Sequence, residues 1–156
     1  MARWLGVAGG VVVLDQITKQ LAESMLNYNE PLVLLPVFNL TLRYNTGAAF
    51  SFLADEGGWQ RWFFVVLALA VSVFLVFWLR RLPRAVVWEA LGITLILGGA
   101  VGNVIDRLLF GHVIDFIEVH YQHWYWPAFN VADSAITVGV TLLILDSLLN
   151  RASRSP

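Results

Sequence analysis

The sequence predicts an all-α membrane protein, in which four transmembrane helices carry a small extramembrane β element on the outer face. Three observations carry that expectation. Hydrophobic residues make up 58% of the 156-residue chain and charged residues only 13%, with a mean hydropathy of +0.70, which is outside the usual range for a soluble domain. The apolar residues fall into four long runs, each near the roughly 20 residues that a bilayer crossing needs. Between the first two runs, continuous apolar sequence gives way to alternation, the period of a half-buried strand. The whole chain, 1–156, reads as a single integral membrane domain.

The first span is expected over about residues 4–26. Met1-Ala2-Arg3 followed by the run from Trp4 to Leu14 has the outline of a signal peptide, but Asp15 and Lys19 follow at once and three apolar segments come later, which favours an uncleaved span. Asp15 falls near mid-span. Lys19 follows it at i+4, the favourable order for a helical ion pair. The pair either neutralises itself as a structural element or braces a functional site electrostatically.

The β element is expected over about residues 27–58. Phe38, Leu40, Leu42 and Tyr44 share one parity, while Asn39, Thr41 and Arg43 share the other. It leads into Asn45-Thr46-Gly47-Ala48-Ala49-Phe50, where Gly47 permits a tight turn or the close approach of a ligand to the backbone.

The second, third and fourth spans are expected over about 62–79, 85–105 and 132–149. Trp59, Trp62 and Trp78 sit near the ends of the second, where aromatic belts form. The third holds Gly92, Gly98, Gly99 and Gly102, small residues that let helices approach closely in lipid. Arg3, Arg80, Arg81, Arg84, Arg151 and Arg154 all fall on one side of a four-span plan, so the positive-inside rule puts both termini in the cytoplasm. The β element and the 106–132 loop then face outward. In that topology Asn103, Asp106 and Arg107 come level with Asn130 and Asp133, and Asp115 and Asn45 reach the same layer.

Ionisable groups at such a layer mark a functional site by default. Two carboxylates sharing a site hydrolyse a peptide bond without metal or covalent intermediate, one ionised and drawing a proton from water, the other protonated. Asp115 and Asp133 are the candidate pair. Asp133 also has a plain reading as a helix-start residue three positions after the N-cap Asn130, where the helix dipole favours its ionised form and leaves Asp115 as proton carrier. Asn103, Asp106 and Arg107 share a helix face. Asp106 and Arg107 form either a local salt bridge or an interfacial anchor, or else belong to the site, with Asn103 and Arg107, and likewise Asn45 and Asn130, as donors to substrate carbonyls.

His112, Asp115, Glu118, His120 and His123 crowd one loop, but no metal-binding motif joins them, and no metal or cofactor is expected. Trp124, Tyr125 and Trp126 read as an interfacial anchor. A net charge of −1 without basic runs speaks against nucleic acid, and the absence of cysteine excludes disulfides, thiolate zinc sites and a Cys nucleophile. Ser51 and Ser134 lack a His partner that would activate them. A transporter or channel lined by Asp15, Lys19, Asp133 and Asp146, or a noncatalytic scaffold, are the competing classes.

Five ordered motifs add a family likeness. Asp15-Gln16-x-Thr18-Lys19; Tyr44 to Phe50; Gly98-Gly99-Ala100-x-Gly102-Asn103-x-x-Asp106-Arg107; Gly111-His112-Val113-x-Asp115-Phe116; and Phe129-Asn130-x-Ala132-Asp133-Ser134 resemble those of the bacterial lipoprotein (type II) signal peptidases, with no departure at a motif position. The resemblance implies an aspartyl endopeptidase with Asp115 and Asp133 as its dyad, which removes the signal peptide of diacylglyceryl-modified prolipoproteins on the amino side of the lipidated cysteine. It implies that Asn45, Gly47, Asn103, Arg107 and Asn130 line the substrate site and that Asp15 matters to stability or activity; Lys19 and Asp106 are expected to support the site beside it. It further implies a multi-pass protein of the bacterial inner membrane whose active site lies near the outer, periplasmic leaflet. Its partners would be prolipoproteins and membrane phospholipid, without an obligate protein partner.

Overall fold

The computed structural model describes residues 1–47, 58–83 and 85–152, with side chains to 149. Ala48, Ala49, Phe50, Ser51, Arg84 and Arg154, invoked above, lie outside the described residues, as does the side chain of Arg151. Four helices, α1 (Ala2–Met25), α2 (Trp59–Arg81), α3 (Val87–Leu109) and α4 (Val131–Ala152), accompany four strands, β1 (Leu32–Leu35), β2 (Phe38–Asn45), β3 (Val113–Tyr121) and β4 (Trp124–Tyr125). The helices α2, α3 and α4 are each long and apolar enough to cross a membrane. Helix α1 matches them in length, but Arg3, Asp15, Lys19 and Glu23 dilute its apolar character.

Helix α3 is the axis of the bundle and packs against all three other helices. Its glycines are the reason. A Cβ on Gly92 would stand 2.8 Å from the carbonyl oxygen of Gly139, one on Gly139 2.6 Å from that of Gly92, and one on Gly99 2.4 Å from that of Ala132. Backbone therefore touches backbone along the antiparallel α3–α4 seam, as small-residue seams in lipid allow. On the α1 side, a Cβ on Gly98 would meet the carbonyl oxygen of Ala8 at 2.8 Å. Ala8, Leu75, Leu79, Ala90, Ile93 and Leu97 form the apolar core around the first half of α3, leaving its second half to polar groups.

The β element departs from the expected 27–58 segment. The sheet is antiparallel in the order β1-β2-β3-β4, so half of it comes from the segment read as the 106–132 loop. Strand β3 is buried on both faces over its first four residues, so its sequence lacks the alternation that marks a half-buried strand. Gly111, at φ +84°, reverses the chain between α3 and β3, and the Ile114 N–H donates to Asp106 Oδ2 at 3.1 Å. Beyond the β4 hairpin the chain returns to pair Phe129 with Ile117 just before α4 begins.

Replacing Gly139 with Ala is expected to cost about 1–3 kcal/mol of stability, because the added methyl overpacks a backbone contact. Gly9→Ala, where nothing lies within 4 Å, is the control. Thermal unfolding in detergent checks both, with a lowered Tm for the first and an unchanged or slightly raised one for the second.

Candidate active site

The polar layer begins with a buried ammonium. Lys19 Nζ lies 2.8 Å from Asp15 Oδ2, 2.9 Å from Asp106 Oδ2 and 2.9 Å from Asn103 Oδ1. An ammonium has three donors, and each has its acceptor. Lys19, Asp15 and Asp106 are fully buried, so their charges depend on one another for solvation. Asp15 Oδ1 also accepts the Ala132 N–H at 2.9 Å, one of the orphan donors of the first turn of α4. Gln16 Nε2 donates to Asp106 Oδ1 at 2.8 Å and lies 3.3 Å from Asp15 Oδ2. A Cβ on Gly102 would stand 2.5 Å from Asp15 Oδ2, so only glycine admits the acid there.

This network orients a second one. With its oxygen held by Lys19, Asn103 turns its amide nitrogen to Asp133 Oδ1 at 2.8 Å. Asn130 caps α4 reciprocally with Asp133. Its Oδ1 accepts the Asp133 N–H at 2.9 Å, and its own N–H lies 3.3 Å from Asp133 Oδ2, the geometry of a capping box. Asn130 Nδ2 then donates to Asp115 Oδ1 at 2.7 Å. Asn45 completes the set, its Oδ1 accepting the Gly47 N–H and its Nδ2 donating to Asp115 Oδ2 at 3.0 Å. Each carboxylate thus holds amide donors whose opposite ends are already fixed.

Burial, reinforced by the charge of Asp133, pushes the Asp115 carboxyl up to about 7, although Asn45, Asn130 and Lys19 pull the other way. Arg107 donates to the Gly47 carbonyl at 2.9 Å and sits over the Phe64 ring, 5.3 Å from its centroid. Two adjoining cavities meet at Asn45 and residues 126–128. One, of about 680 Å³, holds Asp133, Asn103 and Arg107 beside Phe129, Ile136 and Val138. The other, of about 560 Å³, holds Asp115, Arg43 and Glu118 beside Tyr28 and Tyr44.

The structure brings together Asp15, Lys19, Asn45, Gly47, Asn103, Asp106, Arg107, Asp115, Asn130 and Asp133. Three sequence readings change. Asp106 pairs with Lys19 rather than with Arg107, because the two neighbours point to different sides of α3. Asp15 belongs to the polar layer itself, level with Gly102 and Ala132. It is a helix cap as well as an ion-pair partner, and with Lys19 enclosed the two line no open path. Asp115 stands on a strand instead of in a loop. The histidines do not gather around it: His112 packs on Tyr44 and His120 stacks on Tyr125. Gln16 was missed as a bridge, though a polar side chain beside Asp15 on an apolar helix was a signal. Glu118, held by Asn39 Nδ2 at 3.1 Å and Thr41 Oγ1 at 3.2 Å, was noted only as a possible metal ligand.

The family model for signal peptidase (SPase) II matches residues 7–149. The chain belongs to the signal peptidase II family. This makes it a peptidase of the aspartic class. A lipoprotein signal peptidase of Teredinibacter turnerae is 56% identical over 146 residues, covering 94% of this chain and 87% of that protein. One from Pseudomonas aeruginosa is 52% identical over 152 residues, covering 96% and 90%. A bacterial membrane enzyme solved by the in meso method at 2.3 Å superposes with a TM-score of 0.88 at 29% identity, covering 99% of this chain and 93% of that one. The arrangement of helices and small antiparallel sheet is therefore a membrane-enzyme fold, shared with that solved structure.

Lys19→Met leaves Asp15 and Asp106 buried without their cation, and is expected to lower stability by about 3–5 kcal/mol. Adding Asp106→Asn, which removes one of the stranded charges, should restore part of the lost Tm in detergent.

Proposed function

We propose that this signal peptidase II removes the signal peptide from diacylglyceryl-modified prolipoproteins, cutting on the amino side of the lipidated cysteine by a two-carboxylate mechanism. The observation that carries this reading is the junction at Asn130. One residue hydrogen-bonds both Asp115 and Asp133, and each acid opens into its own arm of a divided cavity. Asp133, with an amide donor on each oxygen in the first turn of α4, is the ionised base that takes a proton from water. Asp115, whose carboxyl is pushed up to about 7 and so holds its proton below that pH, supports the carbonyl oxygen as hydroxide adds to the carbon. The proton then passes to the amide nitrogen as the C–N bond breaks, giving a free carboxylate on the signal peptide and a free amine on the cysteine. No metal, cofactor or covalent enzyme intermediate enters.

Asn45, Gly47, Asn103, Arg107 and Asn130 line the substrate site in this reading, and Asp15, Lys19 and Asp106 support it. Arg107 Nε is buried and has no hydrogen-bond partner among the described residues, which suits a donor to a substrate carbonyl. The apolar walls of the larger cavity suit the greasy signal segment. We place all four helices across the bacterial inner membrane, with α1 as the fourth span, its mid-helix charges Asp15 and Lys19 turned inward to α3. Both termini then lie in the cytoplasm and the dyad near the outer leaflet, in one domain spanning 1–156. Phospholipid and the prolipoprotein are the partners, and no obligate protein partner is needed.

Incubating the purified protein with a lipid-modified precursor peptide should yield the shortened product. Asp115→Asn and Asp133→Asn should each lower kcat at least about 100-fold. Cleavage that survives either change refutes the dyad, and inhibition by chelators would point to a metal.

The pH profile tests the roles. Protonated Asp115 is the active form, so kcat should fall as pH rises through about 7. Asn45→Leu removes a donor that favours the Asp115 carboxylate, so the alkaline limb should move to higher pH. A shift to lower pH would reverse the assignment.

A further inference from the structure

Strand β1 is apolar on both faces and buries neither. Leu32, Val33, Leu34 and Leu35 are each 50–68% exposed, and Val37 follows at 44%. A sheet strand that meets water on one side alternates apolar with polar residues; this one does not alternate. It is an outer strand, paired only with β2.

The surface it continues indicates what covers it. Along α1, Leu14, Ile17, Leu21 and Met25 recur at helical spacing, each more than half exposed, and the stripe runs on through Tyr28 into β1. At the opposite edge of the sheet, Trp124 and Tyr125 of β4 are likewise exposed, beside Tyr121 and Trp126. Among the polar residues of the sheet, Asn39, Thr41, Asp115 and Glu118 are buried in the middle strands, and Arg43 is exposed there.

We propose that β1 is a membrane-surface anchor: residues 32–37 insert into the lipid interface of the leaflet nearest the active site, while the aromatic β4 hairpin grips the same leaflet from the other edge. The depth is limited by the backbone. The outward amide and carbonyl groups of an edge strand require water or headgroup partners, which the hydrocarbon centre lacks. The strand therefore rests in the headgroup and upper acyl zone, where Leu and Val side chains reach lipid and the main chain stays solvated. A second copy of this chain is a poorer occupant. The strand has four residues, a register shift between Val33 and Leu35, and Pro31 and Pro36 on either side, which are the devices that blunt edge-to-edge pairing. The anchor holds the sheet, and with it Asp115 on β3, at a fixed height above the bundle.

The inference does not depend on the catalytic reading, and neither does its test. The chain has no cysteine, so Val33→Cys and Leu35→Cys give single nitroxide sites on an exposed strand, with an unchanged Tm confirming the fold. In phosphatidylcholine–phosphatidylglycerol vesicles, power saturation by oxygen and by a water-soluble nickel chelate reports depth. Leu21→Cys on the apolar stripe gives the lipid limit and a free nitroxide in buffer the aqueous one. The expected oxygen-to-nickel ratio at 33 and 35 is several-fold above the aqueous limit and approaches that of position 21. A ratio at the aqueous limit overturns the proposal. So does spin–spin broadening that disappears on dilution with unlabelled protein, which would show a second copy on the strand.

Discussion

The structure depends on the ammonium of Lys19. It is enclosed by α1 and α3 and gives one hydrogen bond to each of three oxygens. Burying a charge is costly unless it is paired and fully hydrogen-bonded, and here no donor is left over. Because two of the acceptors are carboxylates with further obligations, the effect spreads. Asp15 reaches the start of α4 through the Ala132 N–H, and Asp106 reaches the start of β3 through the Ile114 N–H. One cation thereby sets the relative positions of the start of α4 and the start of β3.

Asp115 and Asp133 inherit their geometry from that arrangement. Asn103 can present its nitrogen to Asp133 because Lys19 has claimed its oxygen. Asn45 presents its nitrogen to Asp115 because a turn amide has claimed its oxygen. Asn130 does both tasks, capping a helix with one end of its side chain and holding Asp115 with the other. Preorganised donors of this kind avoid the reorganisation that solvent would require at the moment of reaction. The same amides restrain the upward drift that burial and a neighbouring charge impose on Asp115.

Much of this was legible from residues alone. The apolar runs located the helices within a few positions, the glycines of α3 announced close packing, and topology brought residues 103–107 level with 130–133. What stayed hidden was pairing between distant segments. Strand β3 read as a loop because it is buried on both faces near its start and so shows no period-2 alternation. The partner of Lys19 beyond Asp15 was invisible because an i,i+4 acid already seemed to satisfy it. Asp15 as a cap on α4 had no local signature, since the donor and acceptor lie 117 positions apart.

The Ile117–Phe129 pairing also governs how the chain tolerates changes in length. Between Asp115 and Asp133 the path runs out along β3, around a short hairpin and back, and both acids lie on the inner side of that pairing. A residue inserted between 115 and 117, or between 129 and 133, would slip the register and turn one acid away from the other. Residues added at the Gln122–His123 tip would only lengthen the hairpin. The hairpin tip is thus the point in this half of the enzyme where added length disturbs the pairing least, and the two acids behave as though they were close neighbours in sequence.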